Sequence, residues 1–505
     1  MKEGAPPLIT LRLSVMMFLQ FFLWGAWYVT PYLFLGKINF SGTEIGWTYS
    51  VGPIAGMISP FFVGMFADRF FATERIMGVL HLIGGMIMLA AAFYMGTETP
   101  SPLLVNLIFF GHMLCYFPTL ALTNTLALHN MTDAEKQFPW IRVWGTIGWI
   151  AAGVCIGLLG WDADIKMFYV AGFAAFVMGV YSFTLPHTPP PSAGKEVSIR
   201  ELIGIDALIL LKNPSYATFM FSSFLICIPL AFYYQMAGKF ADSAGLASPA
   251  FKMTFGQMSE IIFMLVMPFF FARLGVKWML FVGMLAWVIR YALFALGADD
   301  RVAWMVLTGI ILHGICYDFF FVTGQIYTDK VAPSAIRGQA QGMLVLFTIG
   351  LGMFIGAQVA GRVENYYTLD KSSIAADQTK AAELKAQIKT IEDTKMKPVQ
   401  DKIEELMGLK GKAPHERFLI QMTGESGNNS AEIASLNKEL AQHRDERSKL
   451  VIQLVKWRQV WTFPAIFAGI IMVLFALVFR DNAKPGAART LPEVLPRDEF
   501  PPTGH

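Results

Sequence analysis

Cysteine is scarce in this sequence, and its positions argue against a disulfide or metal framework. Only four cysteines occur among 505 residues, and each lies inside an apolar run. A thiol in such a position packs as a small hydrophobic side chain. The four are Cys115, Cys155, Cys227 and Cys316.

The motifs of common enzyme active sites are also missing. The sequence has no Gly-rich loop followed by Lys-Ser/Thr, no His-Glu-x-x-His and no Cys/His zinc spacing. We therefore predict that the protein is not an enzyme and has no catalytic residue, metal site or cofactor. Without a nucleotide-binding motif, any transport activity would be driven by an ion gradient.

Charge is sparse as well, at 15% of residues, whereas 55% are hydrophobic and the mean hydropathy is +0.49. Apolar runs recur near the length of about 20 residues that spans a bilayer. The first begins near Leu8 without a small-residue cleavage site, so we expect no cleavable signal peptide. The pattern predicts an all-α protein in a lipid bilayer with twelve transmembrane helices, at 9–35, 44–68, 75–96, 102–129, 138–160, 165–185, 213–238, 250–272, 276–297, 302–329, 337–362 and 457–480.

A polar, proline-rich stretch at 186–212 divides these helices into two groups of six. It predicts a cytoplasmic linker between an N-terminal bundle, 1–185, and a C-terminal bundle formed by 213–362 and 457–480. Lys and Arg concentrate in alternate connections and in the tail, 481–505, so both termini are expected to be cytoplasmic. The tail is expected to be flexible.

The block at 363–456 is rich in Lys, Glu, Asp, Gln and Ala. Two helix-forming stretches within it, with Leu384 and Ile388 in one and Leu436 and Leu440 in the other, flank Gly-rich breakers. We expect a non-cytoplasmic antiparallel helical hairpin whose second arm runs into the last spanning helix. The alternative is a disordered charged loop. Binding of an unidentified partner is a further alternative for this block, but no motif identifies that partner.

The first cytoplasmic connection reads GMFADRFFATER. It resembles the loop signature of the major facilitator superfamily, which implies that superfamily's fold and a charged cytoplasmic gate. The alternative is an ordinary positively charged turn. The residues that fit the signature are Gly64, Asp68, Arg69 and Arg75.

Several polar side chains fall within the apolar segments, where an ionisable group is costly and points to function. Arg142, Thr146 and Trp149 share one helix face, as do Gln257 and Glu260. Arg142 offers a charged fork of donors, while the amide and carboxylate suit a cargo with ring nitrogens and hydroxyls. The other candidates for the cargo site are Gln20, Trp24, Asn124, His313 and Tyr317.

Asp318 is the preferred proton carrier, with Glu260 as the second candidate. Burial raises the proton affinity of a carboxyl group and a nearby arginine lowers it, so one group can take up and release a proton in each cycle. We expect Arg142 and Glu260 to be its partners. The alternatives are a structural bridge between Arg142 and Glu260 and a packing role for Asp318. For Arg290 in the ninth helix, the alternative to lining the path is that it snorkels or binds a lipid.

These segments resemble the bacterial nucleoside:proton symporter family of the major facilitator superfamily. The stretches that carry the resemblance are FLQFFLWGAW, FPTLALTNTLA, FPWIRVWGTIGW, QMSEIIFMLVMPFFFARLGVKWML and CYDFFFVTGQIYTDK. It implies a carrier of the bacterial inner membrane with a nucleoside and a proton as its partners and no nucleic acid. It also implies cargo contacts by Arg142, Thr146, Gln257 and Glu260 and proton coupling by Asp318.

The sequence departs from that family inside the expected pocket. Ala231 and Tyr234 stand where Gln and Asn are expected, His313 and Tyr317 replace other aromatics, and Trp149 replaces Phe. Nucleoside–proton symport is therefore the leading hypothesis. The alternatives are proton-coupled transport of another polar cargo, such as a sugar or modified nucleoside, and a membrane sensor that uses the hairpin.

Overall fold

The structure is a computed structural model that describes residues 7–62, 71–97, 99–131, 134–190, 205–333, 336–408 and 430–480. These residues are almost wholly helical, with one isolated β-bridge between Thr368 and Val455 and no strand. The helices are α1 Pro7–Tyr28, α2 Pro31–Lys37, α3 Gly42–Phe62, α4 Thr73–Met95, α5 Pro102–His129, α6 Ala134–Leu158, α7 Lys166–Ser182, α8 Pro214–Ser243, α9 Pro249–Gly297, α10 Ala303–Ile311, α11 His313–Tyr317, α12 Thr323–Val331, α13 Arg337–Val345, α14 Met353–Tyr367, α15 Ala375–Ile391, α16 Lys397–Leu406, α17 Ser430–Val451 and α18 Trp457–Val478.

Nine helical stretches within the described residues are long and apolar enough to cross a membrane, and α7 is a shorter apolar helix. Helices suit this environment because they satisfy every backbone hydrogen bond within one segment. Local sequence marks some helix ends clearly. At the start of α8, Asn213 accepts hydrogen bonds from the backbone N–H groups of Ser215 and Tyr216, at 2.9 and 3.3 Å, and Pro214 occupies the first turn.

The 49-residue helix α9 is broken at Gly275, where φ is 66° and ψ is −179°. A side chain at this φ is strained, so glycine allows the chain to end one helix and begin another. Three further segments widen into π-helix: Asp318–Val322 between α11 and α12, Leu346–Gly352 between α13 and α14, and Glu392–Met396 between α15 and α16.

We refer to α1–α7 as the N-terminal group and to α8–α14 with α18 as the C-terminal group. The hydrogen bonds that join them, among the residues described, run between α3 or the loop 159–165 on one side and α8, α9 or α14 on the other. The backbone N–H of Gly42 donates to Asn365 Oδ1 at 2.7 Å, and Gln358 Nε2 donates to Ser50 Oγ at 2.9 Å. The two groups are therefore closed against each other at the end of the molecule where α14 leads into residue 368.

Helices α15, α16 and α17 pack as an antiparallel pair of arms, which we call the hairpin. Leu384 of the first arm contacts Leu450 and Leu454, whereas Val399 and Ile403 lie against Leu440. The second arm does not run straight into α18, so that expectation was wrong. It ends at Val451, and the extended Val455 bridges back to Thr368 before α18 begins.

The predicted gate loop falls mostly outside the described residues, which exclude Gly64, Asp68 and Arg69. Arg75 lies in the first turn of α4 with a largely exposed side chain, and its Nε lies 3.9 Å from Glu74 Oε1. The buried Glu74 carboxylate contacts His187 Nδ1 at 2.8 Å and accepts from the backbone of Thr188 at 3.0 Å. These contacts join the start of α4 to the chain that follows α7.

Candidate functional site

Aromatic side chains of α1 and α6 form one wall of the central region. The rings of Trp24 and Trp149 meet edge to face, with centroids 5.1 Å apart, and Trp24 lies 5.3 Å from Tyr116. Tyr28 lies 6.3 Å from Tyr234 of α8, so the wall continues across to the C-terminal group. Such flat, partly polar surfaces can hold a planar ring.

Arg142 extends this wall along α6. Its guanidinium carbon lies 4.2 Å above the ring of Phe21, a cation–π contact that fixes the plane of the fork. Arg142, Thr146 and Trp149 are each half-buried, as expected for one face that borders a cavity. Its hydrogen-bond donors are thus held in place but not enclosed.

Glu260 faces this region from α9, and Gln257 precedes it by three residues on the same helix. The Arg142 charge acts on the half-buried Glu260, but the two side chains form no ion pair in this conformation. The structure therefore places their opposite charges near each other with space between them. A structural Arg142–Glu260 bridge is not present in this conformation.

A close helix contact brings α11 beside Glu260. The backbone N–H of Gly314 donates to Ser259 Oγ at 3.0 Å, and a Cβ at Gly314 would lie 2.5 Å from the Ser259 carbonyl carbon. Only glycine permits this approach. It places His313 and Tyr317 against the same part of α9 that carries Gln257 and Glu260.

His313 is buried within a group of tyrosines. Its ring stacks on Tyr233 at 5.1 Å and contacts Tyr234 at 6.1 Å and Tyr317 at 5.8 Å, while its Nδ1 has no hydrogen-bond partner. Three departures from the family pattern, Tyr234, His313 and Tyr317, are thus one connected cluster beside Glu260.

Asp318 is fully buried, and neither carboxyl oxygen has a hydrogen-bond partner. Of the two partners expected for Asp318, Glu260 acts on it electrostatically, and neither Glu260 nor Arg142 makes a hydrogen bond to it in this conformation. Asp318 opens the π-helical segment Asp318–Val322. Segments of this kind occur often at functional sites.

Gln20 and Asn124 differ in how available they are. Gln20 is fully buried, and its amide donates to Thr119 Oγ1 and contacts His81 Nε2, both at 2.8 Å. Both the nitrogen and the oxygen of this amide are therefore hydrogen-bonded within the protein, and they link α1 to α5 and α4. Asn124 is half-buried on α5.

The structure adds two residues that the site prediction did not include. His81 completes the Gln20 network, a contact between distant segments that no spacing rule reveals. Arg290 is fully buried, lies 4.1 Å above the ring of Tyr233 and has no hydrogen bond to any guanidinium nitrogen. The snorkelling alternative for Arg290 was wrong, because the side chain is buried inside the C-terminal group.

Metal ligation finds no support in the described part of the chain, which contains no group of three or more His, Cys, Asp or Glu side chains placed to hold an ion. The site instead combines aromatic faces, an amide, a guanidinium and carboxyl groups. That set can bind an uncharged polar molecule and carry a proton.

Comparison with known proteins agrees with this chemistry. The family model described as "Nucleoside H+ symporter" matches residues 8–380. The putative nucleoside transporter YegT of Escherichia coli K12 is 43% identical over 362 residues, covering 70% of this chain and 84% of that protein. The nucleoside permease NupG of the same organism is 32% identical over 377 residues, covering 71% and 89%.

The fold comparison extends the likeness to three dimensions. The crystal structure of the nucleoside transporter NupG superimposes with a TM-score of 0.70 at 25% sequence identity, covering 94% of this chain and 99% of that one. The family match over residues 8–380 includes the helices that carry the aromatic wall, Glu260 and Asp318.

Proposed function

The chain belongs to the nucleoside H+ symporter family, and from this membership we propose how its residues perform the transport. It is a multi-pass membrane protein and a proton-coupled symporter that imports nucleosides, not an enzyme. The resemblance noted in the sequence is thereby confirmed. The assignments of individual residues below are our proposals.

The cargo is held between the aromatic wall and the polar groups of α6 and α9. Trp24 and Trp149 supply flat surfaces for the base, and Arg142 and Glu260 supply charged hydrogen-bonding groups on opposite sides of the space between them. Gln257 adds a donor and an acceptor. The same region is bordered by Thr146, Asn124, His313 and Tyr317. Gln20 instead holds α1 in place through its hydrogen bonds to α5 and α4.

Asp318 couples transport to the proton, and its unpartnered burial is the observation that carries this assignment. A carboxylate without a partner is expensive to bury, whereas the neutral acid is not. In a conformation that admits water, the same group can release its proton. Glu260 takes part because its charge acts on Asp318, so cargo contact and protonation are linked.

We also propose that the chain crosses the membrane twelve times. The nine long apolar stretches include α9, which the break at Gly275 divides into two crossings, and α3 and α7 supply the remaining two. The distribution of Lys and Arg supports cytoplasmic termini in the bacterial inner membrane, a cytoplasmic linker and an external hairpin. The gate loop at Gly64, Asp68, Arg69 and Arg75 then lies on the cytoplasmic face.

The test is uptake of labelled uridine or adenosine in cells that lack nucleoside transport, with and without a protonophore. We expect accumulation that collapses when the proton gradient is removed. Accumulation that ignores the gradient would contradict proton coupling. Cells carrying the empty vector provide the control.

Another polar cargo is favoured by one observation, the cluster of Tyr234, His313 and Tyr317 beside Glu260. Competition of uridine uptake by unlabelled nucleosides, modified nucleosides and sugars distinguishes the cargoes. Stronger competition by a sugar than by any nucleoside would assign the site to that sugar. Deletion of 370–450 tests the sensor alternative, which predicts loss of function from this deletion and none from Asp318→Asn.

A further inference from the structure

A cleft of about 920 Å³ lies between the hairpin and the adjacent ends of both helix groups. Its lining includes Tyr32 and Asp162 from the N-terminal group and Lys239 and Asp242 from α8. Both hairpin arms complete it, for example through Gln400 and Arg447. We call this space the hairpin cleft. Its volume falls within the range of small-molecule pockets, about 300–1,000 Å³.

The floor of the hairpin cleft is the contact that closes the two helix groups. Tyr32 is buried against Gly238, where a Cβ would lie 1.8 Å from the Tyr32 hydroxyl, and that hydroxyl has no hydrogen-bond partner. Tyr28, four residues before Tyr32 and at the end of α1, contacts Tyr234 of α8. The cleft and the central site therefore lie on opposite sides of one layer of tyrosines.

The hairpin is fixed to the C-terminal group by ion pairs. Arg447 contacts Glu392 of the first arm at 2.5 Å and Asp242 of α8 at 3.5 Å. Arg301, which precedes α10, contacts Asp445 at 2.8 Å. Hydrogen bonds from Lys449 and Arg301 hold the pKa of Asp445 below its usual value. The hairpin therefore moves with the C-terminal group and covers the mouth between the groups.

The charges that line the hairpin cleft are balanced, with seven acidic and seven basic side chains. Such a surface offers many donors and acceptors without a net field that would favour an anion or a cation. It suits a neutral polar molecule. Seven of these fourteen charged side chains lie beyond residue 380, where the family match ends.

We propose that the hairpin cleft is an entry site that binds a neutral nucleoside before the tyrosine layer opens. This inference rests on the proposed function, because it takes the cargo and the direction of transport from it. Cargo bound in the cleft is held beside the closed gate, which raises its local concentration where the path will open. Nucleotides, which carry phosphate charge, gain no attraction from this balanced surface.

The experiment measures uridine binding to the full chain in lipid nanodiscs and uridine uptake in cells. Gln400→Trp fills the cleft from the first turn of α16, where the glutamine is exposed. Gln387→Trp is the matched control, because Gln387 is exposed on α15 and does not line the cleft. Ala247→Trp enters the cleft from the opposite wall and serves as a second blocking variant.

We expect two binding components for wild type and for Gln387→Trp, and one for Gln400→Trp and Ala247→Trp. Glu260→Gln should weaken the other component. In uptake, the blocking variants should raise the apparent KM by about fivefold, equivalent to roughly 1 kcal/mol, with little change in maximal rate. A single component in wild type, or blocking variants that match Gln387→Trp, would overturn the entry site while leaving transport intact. Wild type that neither binds nor imports nucleosides would overturn the proposed function itself.

Discussion

The carboxylate of Asp162 accepts a hydrogen bond from the backbone N–H of Ala250 at 2.6 Å, across the two helix groups. Asp162 lies in the loop before α7, and Ala250 lies in the first turn of α9. Ser248, the residue that precedes α9, has φ of 51° and makes no side-chain cap. Asp162 thus caps a helix of the opposite group, a contact that must break when this end opens.

Asp162→Asn is expected to stabilise the closed protein at neutral pH. Burial raises the pKa of Asp162 to about 6, while the Ala250 N–H opposes this shift. The charge of Asp242 raises this pKa further and the charge of Arg444 lowers it, and Tyr32 lies within electrostatic reach of Asp162. Because the folded-state pKa exceeds the ordinary value of 3.8, the stability gained from the protonated form is complete below that value. It is lost as pH rises through about 6.

Asparagine keeps the hydrogen-bond acceptor and removes the charge. The free energy of unfolding of Asp162→Asn should therefore equal that of wild type near pH 4 and exceed it by about 2 kcal/mol at pH 7. Thermal unfolding across this range measures the difference. The same linkage applies to the separation of the two helix groups at this end, because an ionised Asp162 carboxylate is more stable in water than in the closed contact. Asp164→Asn, in the same loop but more exposed, is the matched control. Parallel pH curves for Asp162→Asn and wild type would contradict the assignment.

Gly314→Ala should disturb the site because of its contact with Ser259. The new Cβ would lie 2.5 Å from the Ser259 carbonyl carbon, so α11 and α9 must separate. We expect a loss of stability of about 3 kcal/mol and strongly reduced uptake. Gly342→Ala is the matched control, because nothing lies within 4 Å of a Cβ there. Equal melting temperatures for the two variants would show that the contact is unimportant.

Much of this arrangement could be predicted from the sequence because apolar length and helical spacing are local properties. The shared face of Arg142, Thr146 and Trp149 follows from 3.6 residues per turn, and each is half-buried. The placement of Asp318 could not be predicted in the same way, because π-helix breaks that period at this residue. The hydrogen bonds of Gln20 with Thr119 and His81 could not be predicted either, because they depend on the packing of three helices that are distant in sequence.

Asp318→Asn should uncouple transport from the proton gradient. The amide cannot exchange a proton, so we expect uridine to equilibrate across the membrane without being concentrated. Accumulation ratios with an imposed pH gradient in proteoliposomes provide the measurement. Asp329→Asn is the matched control, since Asp329 is exposed in α12 and pairs with Arg337 at 3.3 Å. An Asp318→Asn protein that still concentrates uridine would remove Asp318 from the coupling step.

Arg142→Lys should weaken cargo binding although it preserves the charge. Lysine lacks the planar fork that lies 4.2 Å above Phe21, and its single ammonium cannot make two parallel hydrogen bonds. We expect uridine affinity to fall about tenfold, or roughly 1.4 kcal/mol. Uridine-induced thermal stabilisation of the purified protein measures this loss. Arg458→Lys, exposed at the start of α18 where it pairs with Asp299, should bind normally. Unchanged stabilisation in Arg142→Lys would exclude a fork-dependent contact.

Arg290→Met should separate stability from transport. The guanidinium is fully buried with no hydrogen bond, and the contact with Tyr233 offsets only part of its desolvation cost. Methionine fills similar volume without charge, so the variant should melt at an equal or higher temperature. A buried ionisable group in a membrane protein points to function, and its Tyr233 partner stacks on His313 beside the cargo region. We therefore expect uptake to fall at least about tenfold. A variant that is less stable yet transports normally would show that Arg290 serves packing alone.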